Sequence, residues 1–281
     1  VIPDGLPTSE ELASAQGAFT LLVISGLLIV GVTAIATRRS AKSFAPWAWG
    51  GVAFILSQVI RLPILAMLSA LIIGTGSPDS LSPGWFAAVV LASLTAGLFE
   101  EGSRALILSR AARSVRTVST GVAFGVGHAG VEIFAVLIAP SLAALLIMQG
   151  VADQSIFTGL DAAGSTMVAQ AAQFLAAQTV GISLLAIAER LLAITLHVVL
   201  ALMVMNVVAA RRTRMDIARG LALPIALHAM ANLLAVVAGA LFGAFIAEIA
   251  LALFVGGAVW YYRRNAAKAL DSVPPTAPAQ S

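Results

Sequence analysis

Seven stretches of this chain are long and apolar enough to cross a lipid bilayer, and that feature constrains its fold more than any other. A hydrocarbon core about 30 Å thick needs about 20 apolar residues in a helix. Runs of that kind cover roughly residues 17–37, 46–73, 84–109, 118–148, 217–238 and 243–262. A further run ends near 210. The Gln-bearing stretch 166–180 before it reads as an interfacial helix or as the start of that fifth span. Lipid offers no partner for backbone N–H and C=O groups, so apolar segments of this length must satisfy them internally as helices. The expected fold is therefore all-α, a polytopic transmembrane bundle of about seven spans. Composition closes off the soluble alternative. Only 10% of residues are charged and 60% are apolar, against about 25% charged in an ordinary soluble domain. Mean hydropathy is +0.99.

The loops carry an orientation signal. Every Lys or Arg outside a span follows the first, third, fifth or seventh run: Arg38, Arg39 and Lys42; Arg110, Arg113 and Arg116; Arg211, Arg212 and Arg214; Arg263, Arg264 and Lys268. The opposite segments carry Asp4, Glu10, Glu11, Asp79, Asp153 and Asp161. The positive-inside rule then predicts an outside N-terminus and a cytoplasmic C-terminus in the cell membrane. Residues 1–16 read as an extracytoplasmic segment, 17–265 as one transmembrane domain whose core spans are 46–238, and 266–281 as a disordered cytoplasmic tail rich in Pro, Ala and Ser. The net charge of +3 fits an anionic leaflet better than nucleic acid. The chain has no cysteine, which excludes a disulfide framework, a thiol nucleophile and a Cys-ligated metal.

Polar residues inside the runs carry the functional information. A central Asp, Arg or Lys costs about 2.5–3.5 kcal/mol on insertion scales, so ionisable groups at bilayer depth are rare without a purpose. Here Glu100, Glu101 and Arg104 lie in AGLFEEGSRAL, and His128 and Glu132 in FGVGHAGVEIF. Glu189, Arg190 and His197 lie in ERLLAITLHVV, and His228 and Asn232 in LPIALHAMANL. At a rise of 1.5 Å per residue, Glu100 sits ~15 Å from the cytoplasmic end of its span, His128 lies at a similar depth, and His197 and His228 lie roughly 20 Å in. Four helices thus offer acids or imidazoles at one level, which predicts one shared site. His128 and Glu132, and His228 and Asn232, are four apart and share helix faces. Glu100 and Arg104 have the same spacing, which predicts an internal ion pair. Glycines 121, 125, 127 and 130 predict a face that another helix backbone can approach closely.

These residue types suit hydrolysis. A carboxylate in a low-dielectric site can serve as general base on water. An imidazole can share that proton or bind a divalent metal such as zinc, which makes His128, Glu132, His197 and His228 the candidate ligands. An Asn amide can donate to a developing oxyanion. No Ser/His/Asp set and no pair of intramembrane aspartates is evident. Other polar groups in the runs read as structural: Glu189 with Arg190, Glu248, and Gln58 with Arg61, the last a candidate partner for a buried carboxylate.

FEEGSR, FGVGHAGVE, His197 and HAMAN resemble the YhfC family of intramembrane metalloproteases. More distantly they resemble the superfamily of CAAX-prenyl and bacteriocin-processing proteases, PrsW proteases and the Aph scaffold subunit of γ-secretase. Glu100, Glu101 and Arg104 match the first motif, with Arg104 at the PrsW-type spacing. Phe124 and His128 match FxxxH, and His228 and Asn232 match HxxxN. His197 lacks the FxxxH context, since Ala193 precedes it by four. The CAAX-type resemblance implies that Glu100 and His128 activate water while His228 and Asn232 stabilise the oxyanion; the YhfC resemblance implies a bound metal. The roles of Glu100 and Glu101 stay interchangeable at this point. The expectation is an intramembrane endopeptidase acting on a membrane-embedded protein or peptide, with Glu100, Glu101, Arg104, His128, His197, His228 and Asn232 as its site. A non-catalytic scaffold and a proton-coupled transporter are the rival readings.

Overall fold

A computed structural model describes residues 5–74, 78–210 and 213–266; the predicted tail lies almost wholly outside them. The described residues are helical, with no strand among them. The helices are α1 (Ser9–Ala41), α2 (Ala45–Ile72), α3 (Pro83–Arg110), α4 (Val118–Ile133), α5 (Ala139–Ala152), α6 (Ala162–Ala176), α7 (Val180–Ala209), α8 (Arg214–Phe242) and α9 (Ala244–Tyr261). Among the described residues, seven spans are long and apolar enough to cross a bilayer, α4 and α5 counting as one. The chain is therefore a multi-pass membrane protein. Large apolar side chains face outward along the spans, among them Leu28, Leu71, Leu146 and Leu253, as a lipid solvent requires.

Local sequence explains the boundaries. Ser82 caps α3 by accepting from the Trp85 N–H at 3.1 Å, with Pro83 in the first turn. Asp161 caps α6 through the Gly164 N–H at 2.8 Å. Thr213 and Asp216 form a reciprocal capping box at the head of α8. Gly243, at φ 83°, ends α8 and starts α9, a backbone conformation that glycine adopts without strain. Between α4 and α5 the residues Phe134–Ile138 form a π-turn. Pro140 follows, and its ring cannot coexist with a regular bond to the Val136 carbonyl. One boundary departs from the sequence expectation. The first helix starts at Ser9, ahead of the apolar run, because Thr8 and Glu11 bond reciprocally at its head. Of the two readings of the stretch 166–180, a helix of its own is the one found: residues 166–176 lie in α6, which ends at Ala176, and α7 begins at Val180.

The chain divides into two compact units. The first comprises residues 1–32 and 132–190. Here Gly26 of α1 abuts Ile138, and the Ser183 hydroxyl on α7 donates to the Ala18 carbonyl at 3.2 Å. Phe19, Leu22, Leu137, Met148 and Phe157 are buried in it. The second unit comprises residues 33–131 and 191–281. Its apolar core gathers Leu108, Phe124, Leu200, Val204, Leu251 and Val255 from α3, α4, α7 and α9.

Helices of the second unit approach at glycines. A Cβ on Gly127 of α4 would lie 1.9 Å from the Trp47 carbonyl oxygen, and one on Gly50 of α2 would lie 1.9 Å from that of Phe124. Single glycines make similar approaches, Gly125 against the α7 backbone at Val198 and Gly97 against the Ile225 carbonyl of α8. Small residues permit such close helix contact in lipid. Gly127→Ala is therefore expected to push α2 from α4 and to cost at least about 3 kcal/mol, the upper end of overpacking because backbone must move. Thermal unfolding in detergent reads the loss, and an unchanged midpoint would contradict the contact.

Candidate active site

Four of these packed helices aim polar side chains at one point. Gly125 on α4 sits directly against His197 and Val198 of α7, and Gly97 brings α3 onto α8. One turn beyond those contacts, α3 presents Glu100 and Glu101, with Arg104 a further turn on, α4 presents His128, and α8 presents His228; His197 comes from α7 itself. All six are at most 5% exposed.

They bond to one another directly. Arg104 Nη1 donates to both oxygens of Glu101, at 2.7 and 2.9 Å. Its Nη2 donates to His197 Nδ1 at 2.5 Å and its Nε to His128 Nδ1 at 3.4 Å. A guanidinium has no acceptor, so both Nδ1 atoms accept. Each neutral ring then carries its proton on Nε2. His128 Nε2–H accordingly donates to Glu100 Oε2 at 2.9 Å. His228 is oriented the other way. Its Nδ1–H donates to Glu101 Oε1 at 2.7 Å, and its Nε2 faces Glu100 Oε2 at 3.7 Å. The imidazole centroids lie 5.1 Å apart for His128 and His197, and 5.3 Å for His197 and His228. Phe54 of α2 meets the His128 ring edge-on.

One local expectation is overturned. Arg104 pairs with Glu101, three residues back, and not with Glu100. Glu101 points with Arg104 toward His197 and His228, whereas Glu100 turns to His128 and α2. The two glutamates are thereby distinguished. Glu101 has both oxygens engaged by Arg104, while Glu100 Oε2 lies between two imidazole Nε2 atoms. Asn232 is half-buried one turn beyond His228 and makes no side-chain hydrogen bond to the described residues. Glu132 belongs to the first unit, where its Oε1 accepts from Arg190 Nη1 at 3.0 Å and Arg190 also bonds Glu189.

The sequence pattern did not single out Gln58 for this site. Its Nε2 donates to Glu100 Oε1 at 3.2 Å. The signal was the polar pair Gln58 and Arg61, three apart inside an otherwise apolar run. Among the described residues, Arg61 makes no direct ion pair with a carboxylate and bonds Gln58 instead.

The donor set can be tested against a metal. Ligand atoms of Glu100, His128 and His197 all lie within 4.8 Å of one another, and carboxylate oxygen with imidazole nitrogen is a zinc-type set. By residue type and spacing they fit a divalent cation. The bonds from Arg104 to two imidazoles compete with it, since a ring coordinating through Nε2 must carry its proton on Nδ1.

No curated protein and no solved structure matches the chain. A family model does, over residues 24–255, a range that holds every residue of the cluster. With seven spans and a buried Glu/His cluster built on four of them, the chain belongs to the YhfC intramembrane metalloprotease family.

Proposed function

We propose that this protein is an intramembrane endopeptidase in which Glu100 is the general base for attack of water on a peptide bond. The observation that carries the reading is Glu100 Oε2, held 2.9 Å from His128 Nε2 and 3.7 Å from His228 Nε2 in a buried site. A carboxylate so placed takes a proton from water as the water attacks the carbonyl carbon. The donated N–H of His128 keeps the carboxylate oriented. His228, fixed through Nδ1 by Glu101, presents Nε2 on the same side and can relay the proton to the leaving amine. Asn232, one turn along α8, supplies an amide N–H for the oxyanion. Glu101 and Arg104 hold His197 and His228 in place and do not touch the reacting atoms. Glu100 is 5% exposed, so a membrane-embedded peptide reaches it only when flanking helices part.

A divalent metal, when bound, would be held by Glu100, His128 and His197 and would acidify a bound water, in which case Glu100 would serve as a ligand in place of its role as base. Zinc titration of purified, metal-stripped protein by calorimetry tests this part. The expected result is saturable binding at one ion per chain, lost in His128→Ala and His197→Ala. Absence of saturable binding would leave the Glu/His chemistry without a metal.

The protease reading itself is tested by incubating the protein in liposomes with a pool of single-span peptides and following new termini by mass spectrometry. Wild-type cleavage that His128→Ala abolishes is expected. The scaffold reading draws on one observation, the fully buried Glu101–Arg104 pair, and predicts that His128→Ala lowers stability with no cleavage by any variant.

A further inference from the structure

Gln58 and Arg61 lie on α2, outside the motifs that match the family. Their bonds to the site admit only one direction each. A guanidinium donates and cannot accept, so Gln58 must turn Oε1 toward Arg61 Nη1, at 3.1 Å. That fixes the amide the other way round at Nε2, which donates to Ser57 Oγ at 3.1 Å and Glu100 Oε1 at 3.2 Å. Ser57 spends its own proton on the Phe54 carbonyl at 2.6 Å, so its oxygen is left to accept. Arg61 is anchored in turn on α3, through Nη2 to the Ala92 carbonyl at 3.0 Å and Nε to Thr95 Oγ1 at 3.4 Å. The Thr95 hydroxyl donates within its own helix, to the Leu91 carbonyl at 2.8 Å. A chain of directed bonds therefore runs from the α3 backbone through Arg61 and Gln58 back to Glu100.

The consequence falls on one carboxylate. With Oε1 taken by Gln58, rotation of the Glu100 head group is arrested and Oε2 stays opposite the Nε2 atoms of His128 and His228. We infer that Gln58, locked by Arg61, is a positioning residue for the general base; this rests on the protease reading of Glu100. A polar pair at bilayer depth is costly in an otherwise apolar helix, and orienting the base is a function commensurate with that cost.

Three variants of the full chain in liposomes, assayed with the same peptide pool, test the inference. Gln58→Met keeps the length and removes every bond. Gln58→Glu keeps the acceptor for Arg61 but loses the donor to Glu100. Arg61→Met releases the amide. Misplacing a reacting group lowers the rate with little effect on substrate binding, so kcat is expected to fall about ten- to a hundredfold in both Gln58 variants, with KM within about twofold. Adding Arg61→Met to Gln58→Met should cost nothing further, because the two act in series. A Gln58→Glu enzyme with wild-type kcat would assign Gln58 a structural role only and overturn the inference. Should the wild-type chain cleave no peptide, the protease reading fails, and a thermal-unfolding cycle between Gln58→Met and Glu100→Gln still reads the contact. Non-additive shifts uphold the positioning bond, and additive shifts overturn it.

Discussion

Glu100→Gln is expected to lower peptide cleavage by about 10²–10⁴-fold, the usual contribution of a general base. The substitution is nearly isosteric. Glutamine Oε1 can still accept from His128 Nε2–H, replacing the carboxylate at 2.9 Å, so the packing of α3 against α4 survives, while its amide N–H faces the Gln58 donor and forfeits that one bond to α2. What is lost is the ability to take a proton from water. The thermal stability should therefore fall by no more than the about 1–3 kcal/mol of one unmade buried hydrogen bond, while the rate collapses. Glu101→Gln is the contrast. Its carboxylate is saturated by Arg104 and His228, so the variant should unfold more easily, and its kcat per folded molecule should fall less than that of Glu100→Gln. Parallel cleavage and melting assays of the two variants separate base from support; equal behaviour would remove the distinction drawn between the two acids.

The largest effect on stability is expected at Arg104. Its guanidinium and the Glu101 carboxylate are both fully buried and 2.7 Å apart. Removing one partner of such a pair leaves an uncompensated charge and costs about 3–5 kcal/mol. Arg104→Met should therefore unfold well below wild type in detergent. Arg104→Met combined with Glu101→Gln should recover part of the loss, because the orphaned charge is gone while Gln Oε1 still accepts from His228 Nδ1–H. The double variant should nonetheless stay slow, since His128 and His197 lose the donor that fixes their tautomers. A double variant less stable than Arg104→Met alone would contradict the pairing.

How much of this was legible in the sequence differs by level. The spans were, because a lipid solvent turns the fold into a question of apolar length, and all seven runs became helices. The breaks between them were less so. Thr8 and Glu11 start α1 ahead of its apolar run, a local bonding effect that hydropathy does not report. The cluster was legible because Glu100, His128, His197 and His228 are expensive where they stand. The partners within it were not. Helical spacing states which side chains of one helix can meet, and by that rule Glu100 and Arg104 were as good a pair as Glu101 and Arg104. The choice was made by His128, His197 and His228 arriving from three other helices, which drew Arg104 and Glu101 to one side and Glu100 to the other. Gln58 lay hidden for the same reason, its importance residing in a bond to residue 100 across a helix interface.

The source of the oxygen in the cleaved product reads out whether Glu100 activates water. When a single-span peptide is cut in water enriched in oxygen-18, attack by water activated at Glu100 places the label in the new carboxyl terminus. Labelled product is expected from the wild-type protein and almost none from Glu100→Gln. Labelled product at the wild-type rate from Glu100→Gln would contradict that activation.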